Sequence, residues 1–391
     1  MPISRLPRLR FSAVLACACL TALVSSPAPA DADPPGSAPG PTLQSQLEQL
    51  VRAPGGPPGV IAVLQRGSTR EILRAGVADL DTGRPVQQTD HMRVASTAKA
   101  FSGAVALRLV DRGTLGLDDT IGRRLPTLPR AWHAVTLREL LTHTSGLPDF
   151  SRSPEFVKIL RADLHHRFDS RRLLDFVAGE ALLFRPGSRY QYSNSDNIAV
   201  ALMAEAATGQ RYEELLRRLV YRPLGLRETS LPQGFELPEP YMRGYDVPVQ
   251  QSAEPGDVSE LVGASGVWAS GGIVSTPLDM TRFIRGYASG ALVSRATVGE
   301  QRRWVEGASE PAGPGSNKAG AAIFRYGTRC GVVLGHTGNT PGYTQLIAAT
   351  PGGERSLTLS LTTQVNEATK PQLLKKLREV EENLVCALLR W

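Results

Sequence analysis

Strand-like segments stand at both ends of this chain and helix-like segments fill its middle, an order that leaves few architectures open. Residues 59–65 and 70–77 are apolar or alternating runs separated by Gly67-Ser68, which predicts an antiparallel hairpin. Residues 329–334, 343–349 and 356–362 repeat that character near the other end, with Pro351-Gly352-Gly353 turning between the last two. Between them, helical spacing predicts helices over 97–111, 137–141, 171–178, 197–206, 212–220 and 278–287. Strands from both ends can share a sheet only if the ends meet, which makes the helical middle an inserted lobe and the cleft between lobes the natural ligand site. The expected fold is α+β: an antiparallel sheet of N- and C-terminal strands flanked by helices, plus a mostly α-helical lobe. Its folded unit is expected over 42–391, with the α/β lobe at about 42–120 and 260–391 and the helical lobe at about 121–259.

Residues 1–30 lie outside that unit. Arg5, Arg8 and Arg10 precede an apolar run over 11–24, followed by small residues ending Ala28-Pro29-Ala30. This is the pattern of a secretory signal peptide cleaved near Ala30, and the apolar run is too short to span a bilayer. The protein is therefore expected outside the cell with no membrane attachment, and residues 31–41, rich in Pro, Gly and Ser, read as a flexible leader. Cleavage reduces the net charge from +7 to 41 basic against 37 acidic residues, too dilute to imply a polyanionic partner. Arginines are spread without aromatic interleaving, so nucleic acid is not expected as a partner.

Cleavage also removes Cys17 and Cys19, leaving Cys330 and Cys386 in an oxidising compartment. Cys330 opens a strand-like segment. Cys386 lies in a final helix whose Leu373, Leu377, Val380, Leu384 and Leu388 form one apolar stripe. A bridge between the two cysteines is expected, the alternative being two free buried thiols.

Three short elements carry chemistry. Ser96-Thr97-Ala98-Lys99 follows a strand-like stretch and opens the helix over 97–111. Residues three apart share a helix face, so the Lys99 amine reaches the Ser96 hydroxyl, and the helix N-terminus supplies positive potential where negative charge would develop. Only six of the 44 basic residues are lysines, which makes a lysine at this spacing harder to attribute to accident. Tyr192-Ser193-Asn194 and His336-Thr337-Gly338 follow in order. Singly each is weak; together, in this order, chance accounts for about one sequence in a thousand.

On these elements the chain resembles the serine penicillin-recognising family of class C β-lactamases, D-alanyl-D-alanine carboxypeptidases and related esterases. Among them it is most similar to the secreted actinobacterial DD-peptidase. The run Leu140-Leu141-Thr142-His143-Thr144-Ser145-Gly146-Leu147, Pro186-Gly187, and Ser275-Thr276-Pro277-Leu278-Asp279-Met280 extend the resemblance over about 43–391. The resemblance implies that Ser96 is the acylated nucleophile, Lys99 assists its deprotonation, Tyr192 shuttles the proton to the leaving group and Asn194 contacts the substrate amide. It implies an oxyanion hole of the Ser96 and Asn339 backbone N–H groups, with His336, Thr337 and Gly338 beside the substrate. A histidine is largely neutral at pH 7, so an arginine is wanted for a substrate carboxylate. Arg325 is the candidate, and Trp268 the candidate for a pocket wall.

The expected activity is that of a secreted serine D-Ala-D-Ala carboxypeptidase, a penicillin-binding hydrolase taking a small peptide, β-lactam or ester. A class C-like β-lactamase or an esterase of the same fold is the alternative, and the chain is expected to act as a monomer. No cofactor and no metal is expected: the six histidines show no HExxH or other ligand spacing, and no serine has the flanking glycines of an α/β-hydrolase elbow.

Overall fold

Gly59–Arg66 (β1) shows what kind of sheet the chain builds. Val60, Ala62 and Leu64 enter one apolar cluster and Ile61 and Val63 another, so both faces of the strand are buried. Such a strand belongs inside a sheet covered on both sides. In the computed structural model, which describes residues 41–250 and 254–390, the remaining strands are Thr69–Gly76 (β2), Met92–Arg93 (β3), Tyr245–Asp246 (β4), Gly256–Asp257 (β5), Val274–Ser275 (β6), Val305–Glu306 (β7), Ser316–Gly320 (β8), Ile323–Thr328 (β9), Gly331–Thr340 (β10), Tyr343–Ala349 (β11) and Arg355–Leu361 (β12). Eight of them form one antiparallel sheet in the order β2-β1-β12-β11-β10-β9-β8-β7. β1 meets β12 with Val60 opposite Leu361, so strands from the two ends of the chain share the sheet. The export segment expected over 1–30 and, except for Pro41, the leader lie outside the described residues.

One face of the sheet is covered by the helices Leu43–Val51 and Pro371–Arg390. The stripe read from the sequence, Leu373 to Leu388, is buried there, each side chain contributing roughly 1.5–3 kcal/mol relative to exposure. Cys330, just before β10, is bonded to Cys386 of that helix across 56 residues. The other face carries the larger core, which includes Phe101 and Val105 from the helix Ala98–Asp111 and Met280 and Phe283 from the helix Pro277–Ser289. Phe101 and Phe283 stack face to face.

Between β3 and β6 the chain is mainly helical. Leu137–Leu141 starts with a full capping box, the Thr136 side chain accepting from Glu139 N and the Glu139 carboxylate accepting from Thr136 N. Asn194–Thr208 begins three residues earlier than its periodicity predicts, and 171–178 belongs to a 3₁₀ helix, Ser170–Val177. Among the described residues no helix is long and apolar enough to cross a membrane.

Candidate active site

Ser96 owes its place to a strained turn. β3, pinned to β6 by Met92 opposite Ser275, leads into the 3₁₀ turn Ala95–Thr97. Ala95 adopts φ +50°, a conformation unfavourable for a residue with a Cβ and found where surrounding structure over-determines the backbone. The Val94 carbonyl closes the turn by accepting from Thr97 Oγ1 (2.7 Å) and Thr97 N (3.3 Å). Ser96 is thus presented at the head of Ala98–Asp111, on the wall of a cavity of about 730 Å³.

One turn on, Lys99 is fully buried. Its Nζ donates to Ser96 Oγ (3.1 Å), Asn194 Oδ1 (2.8 Å) and the Ser270 carbonyl (2.8 Å), and lies 4.9 Å from the centre of the Tyr192 ring. Burial lowers its pKa to about 7, against the opposing pull of Asp149, Glu310 and Asp196. A buried amine at that value is neutral for part of its time near pH 7 and can take a proton from a hydroxyl at hydrogen-bond distance.

Asn194 is held from both sides. Its Oδ1 accepts from Lys99, its Nδ2 donates to Asp149 Oδ2 (3.0 Å) and Ser151 Oγ (3.1 Å), and its backbone N–H also donates to Asp149. Tyr192 lines the same cavity, its phenol pushed well above the usual range by burial, an effect partly offset by the Ser96 side chain. Below the phenol ring lies a buried polar group. His143 Nδ1 is 2.7 Å from Asp196 Oδ2, Asp196 Oδ1 accepts from Ser145 Oγ, and the His143 ring is 4.5 Å from that of Tyr192. Burial drives the His143 imidazole down to about 3 and the Asp196 carboxyl up, both toward neutrality.

The opposite wall is the end of β10. A Cβ at Gly338 would lie 2.5 Å from Val94 O, 3.2 Å from Ala95 Cβ and 3.2 Å from Ser96 N, so only glycine lets the strand approach the serine this closely. Asn339 lines the cavity, with its side-chain amide bonded to Thr344, Val365 O and Gln364.

Four expectations about side chains need correction. His336 does not face the cavity: it is fully buried, Nδ1 is 2.6 Å from the Thr337 carbonyl, and burial lowers its pKa to about 3, so it offers no charge to a carboxylate. The Thr337 hydroxyl is buried and already spent on Pro311 O at 2.5 Å. Arg325 sits on β9 opposite Leu334. Asn339 is five residues further along β10, about 16 Å at the usual strand rise, so Arg325 is remote from the cavity. Trp268 is a core aromatic, 1% exposed, with Nε1 donating to Glu213 (3.0 Å), its ring edge-on to Tyr212 and the Arg171 guanidinium over its face. Its sequence neighbours Val267, Ser270 and Gly271 line the cavity in its stead.

The cavity also has residues that pattern reading passed over. Ser309, Glu310, Pro311 and Ala312 come from the 307–315 loop, Asn366 and Glu367 from the segment after β12, and Leu374 and Arg378 from the terminal helix. Only the composition Pro311, Gly313, Pro314, Gly315 marked the first of these as a loop, and nothing in the helix stripe pointed Arg378 at a ligand site. Among the described residues no group of histidine, cysteine and acidic side chains is arranged to hold a metal ion.

Known proteins resemble this chain in sequence and fold. The family model for Beta-lactamase matches residues 44–381. The chain is 26% identical over 303 residues to penicillin-binding protein 4* of Bacillus subtilis, covering 74% of this chain and 64% of that one. It is 34% identical over 207 residues to the esterase EstB of Burkholderia gladioli, covering 49% and 52%. It thus spans about half to two thirds of the length of these relatives. A D-stereospecific amidohydrolase from a Streptomyces species superposes with a TM-score of 0.73 at 25% identity, over 86% of this chain and 97% of that one. A D-amino acid amidase from Ochrobactrum anthropi does so with 0.74 at 25%, over 88% and 100%. An octameric penicillin-binding protein homologue from Pyrococcus abyssi shares the fold at 20% identity and a TM-score of 0.73, over 89% and 77%, so the expected monomer finds no support there. With Ser96, Tyr192 and Asn194 on one cavity, Gly338 packed against the serine turn and nearly the whole described chain matched, this protein belongs to the β-lactamase family of serine hydrolases.

Proposed function

We propose that the protein hydrolyses small amides or esters through an acyl-enzyme on Ser96. The observation that carries this reading is the buried Lys99 amine, 3.1 Å from Ser96 Oγ and brought to about 7 by its surroundings. Neutral Lys99 takes the Ser96 proton as Oγ bonds to the substrate carbonyl carbon. The resulting oxyanion is received by the backbone N–H groups of Ser96 and Asn339, an arrangement whose donors are each worth a few kcal/mol of barrier. The C–N or C–O bond then breaks, and the Tyr192 phenol, kept protonated by burial and replenished from Lys99, supplies the proton to the leaving amine or alcohol. Water attacks the ester by the reverse path, giving the acid and restoring Ser96. Asn194, fixed between Lys99 and Asp149, holds the amine in line and presents an edge to the substrate.

Secretion and the D-Ala-D-Ala carboxypeptidase activity are part of this proposal. The second needs a cation for the terminal carboxylate, and Arg378 is the arginine that lines the cavity among the described residues. The amidase and amidohydrolase neighbours support the wider class of D-configured amides, and EstB supports esters. The deciding experiment follows intact mass with benzylpenicillin, D-Ala release from a peptide ending D-Ala-D-Ala, and hydrolysis of p-nitrophenyl acetate. A serine adduct and turnover that both vanish in Ser96→Ala support the mechanism; full activity in Ser96→Ala refutes it.

A further inference from the structure

We propose that the cleft selects substrates bearing a free ammonium group, such as unblocked amino-acid amides or esters, and that the Glu310 carboxylate is the group that reads it. This rests on Ser96 being the nucleophile of the cleft. The loop bearing Glu310 is built into the wall. Tyr190 Oη donates to Ala308 O, Ser309 Oγ lies 2.9 Å from the Tyr326 hydroxyl, Thr337 Oγ1 donates to Pro311 O, and Arg378 Nη2 donates to the Gly313 and Gly315 carbonyls (both 3.1 Å). With the backbone on both sides of it anchored, the Glu310 side chain stays in the cavity that Ser96 lines.

The charges in and beside the cavity differ in how far they are already used. Asp149 is saturated by Asn194 and Ser151. Lys99 is buried and spends its protons on Ser96, Asn194 and Ser270. Arg378 spends Nη2 on two loop carbonyls and leaves Nε without a partner, one cation against the two carboxylates of the lining. Glu310 is 56% accessible, and its ion-pair partner Arg152, itself 70% accessible, stands 4.0 Å away, a distance and exposure at which a pair holds its members weakly. A second carboxylate, Glu367, also lines the cavity. His336 and Arg325, expected from the sequence beside a terminal carboxylate, are respectively buried and remote. The open position in the cleft is therefore anionic, and an ammonium donating to Glu310 makes a charge-assisted hydrogen bond that an acylated nitrogen cannot.

The test compares D-phenylalaninamide with N-acetyl-D-phenylalaninamide, each as substrate and as competitor of p-nitrophenyl acetate, in the wild type and in Glu310→Gln, Glu367→Gln and Arg152→Gln. The wild type is expected to favour the free amine at least about tenfold in kcat/KM or inhibition constant. Glu310→Gln is expected to lower that preference about tenfold or more through KM, Glu367→Gln to keep most of it, and Arg152→Gln to raise it. Equal handling of the two compounds by the wild type overturns the proposal even if no variant folds, and so does a preference that survives Glu310→Gln or is lost in Glu367→Gln alone. Ser96→Ala separates the two levels: if it still hydrolyses p-nitrophenyl acetate, the nucleophile assignment fails; if it does not, an absent amine preference counts against Glu310 alone.

Discussion

Substituting Gly338 with alanine tests the link between packing and chemistry, because the added methyl meets the backbone that presents Ser96. The new Cβ would stand 2.5 Å from Val94 O, and carbon–oxygen contacts that close are relieved only when something moves by at least about 0.5 Å. The carbonyl cannot swing aside cheaply, since it holds the turn through Thr97 Oγ1 and Thr97 N, while Val94 N is itself bonded to Ile273 O. β10 must then retreat, taking the Asn339 N–H away from Ser96. Overpacking of this kind costs about 1–3 kcal/mol of stability, and a displacement approaching 1 Å between reacting groups costs up to about a hundredfold in rate. Urea unfolding and kcat/KM on p-nitrophenyl acetate read the two effects separately. The expected result is a lowered unfolding midpoint together with a ten- to hundredfold loss of kcat/KM, estimated roughly from those magnitudes. Gly179→Ala, whose Cβ meets nothing within 4 Å, serves as control and should stay within about 0.5 kcal/mol of wild type. A Gly338→Ala protein as stable and active as wild type would show that the proximity of β10 to the serine turn does not matter to catalysis.

Other perturbations address the remaining parts of the site. Lys99→Met should abolish turnover, and wild-type kcat/KM should rise with pH through about 7 as the buried amine loses its proton; a flat profile across pH 6–8 would remove Lys99 from the role of base. Because its folded pKa lies below the unfolded value of 10.5, the unfolded chain binds more protons between about 7 and 10.5, so Lys99 makes stability rise with pH over that window. Comparing urea midpoints at pH 7 and 9 should show that part of the slope missing in Lys99→Met. Replacing Cys330 and Cys386 together with alanine releases a 56-residue constraint, for which chain entropy predicts a loss of about 4 kcal/mol, read as a lowered Tm and unchanged kcat at low temperature. Arg325→Ala should leave kcat/KM on every substrate within about twofold, whereas Arg378→Gln should raise KM for any substrate ending in a carboxylate; the opposite pattern would reinstate Arg325.

Local periodicity carried much of this arrangement into the sequence, and its limits lie where contacts cease to be local. Ser96 and Lys99 are one helical turn apart, so their meeting is a property of the helix and is visible in four letters. The terminal stripe Leu373 to Leu388 is legible for the same reason, and the heavy burial of β1 shows as a nearly unbroken apolar run because both faces of the sheet are covered. His336 shows what a motif omits. Its position was readable, but whether its ring faces solvent depends on Phe324 and on the fold around it, and burial is what removes its charge. Trp268 fails in the same direction, since an aromatic next to cavity residues has an equal claim to the core until a partner such as Glu213, 55 residues away, decides it. Arg378 lies on the helix whose stripe was recognised, yet its approach to the cavity follows from how that helix docks over the 307–315 loop, where Gly313 and Gly315 offer their carbonyls. That loop has no periodicity, and its anchors come from Tyr190, Tyr326, Thr337 and Arg378, four separate parts of the chain. The electrostatic character of the cleft is thus set by the residues least visible to pattern reading. The acyl-transfer chemistry proposed for this protein is written in short motifs, while the choice of substrate proposed for it rests on contacts that exist only once the sheet, the loop and the last helix have come together.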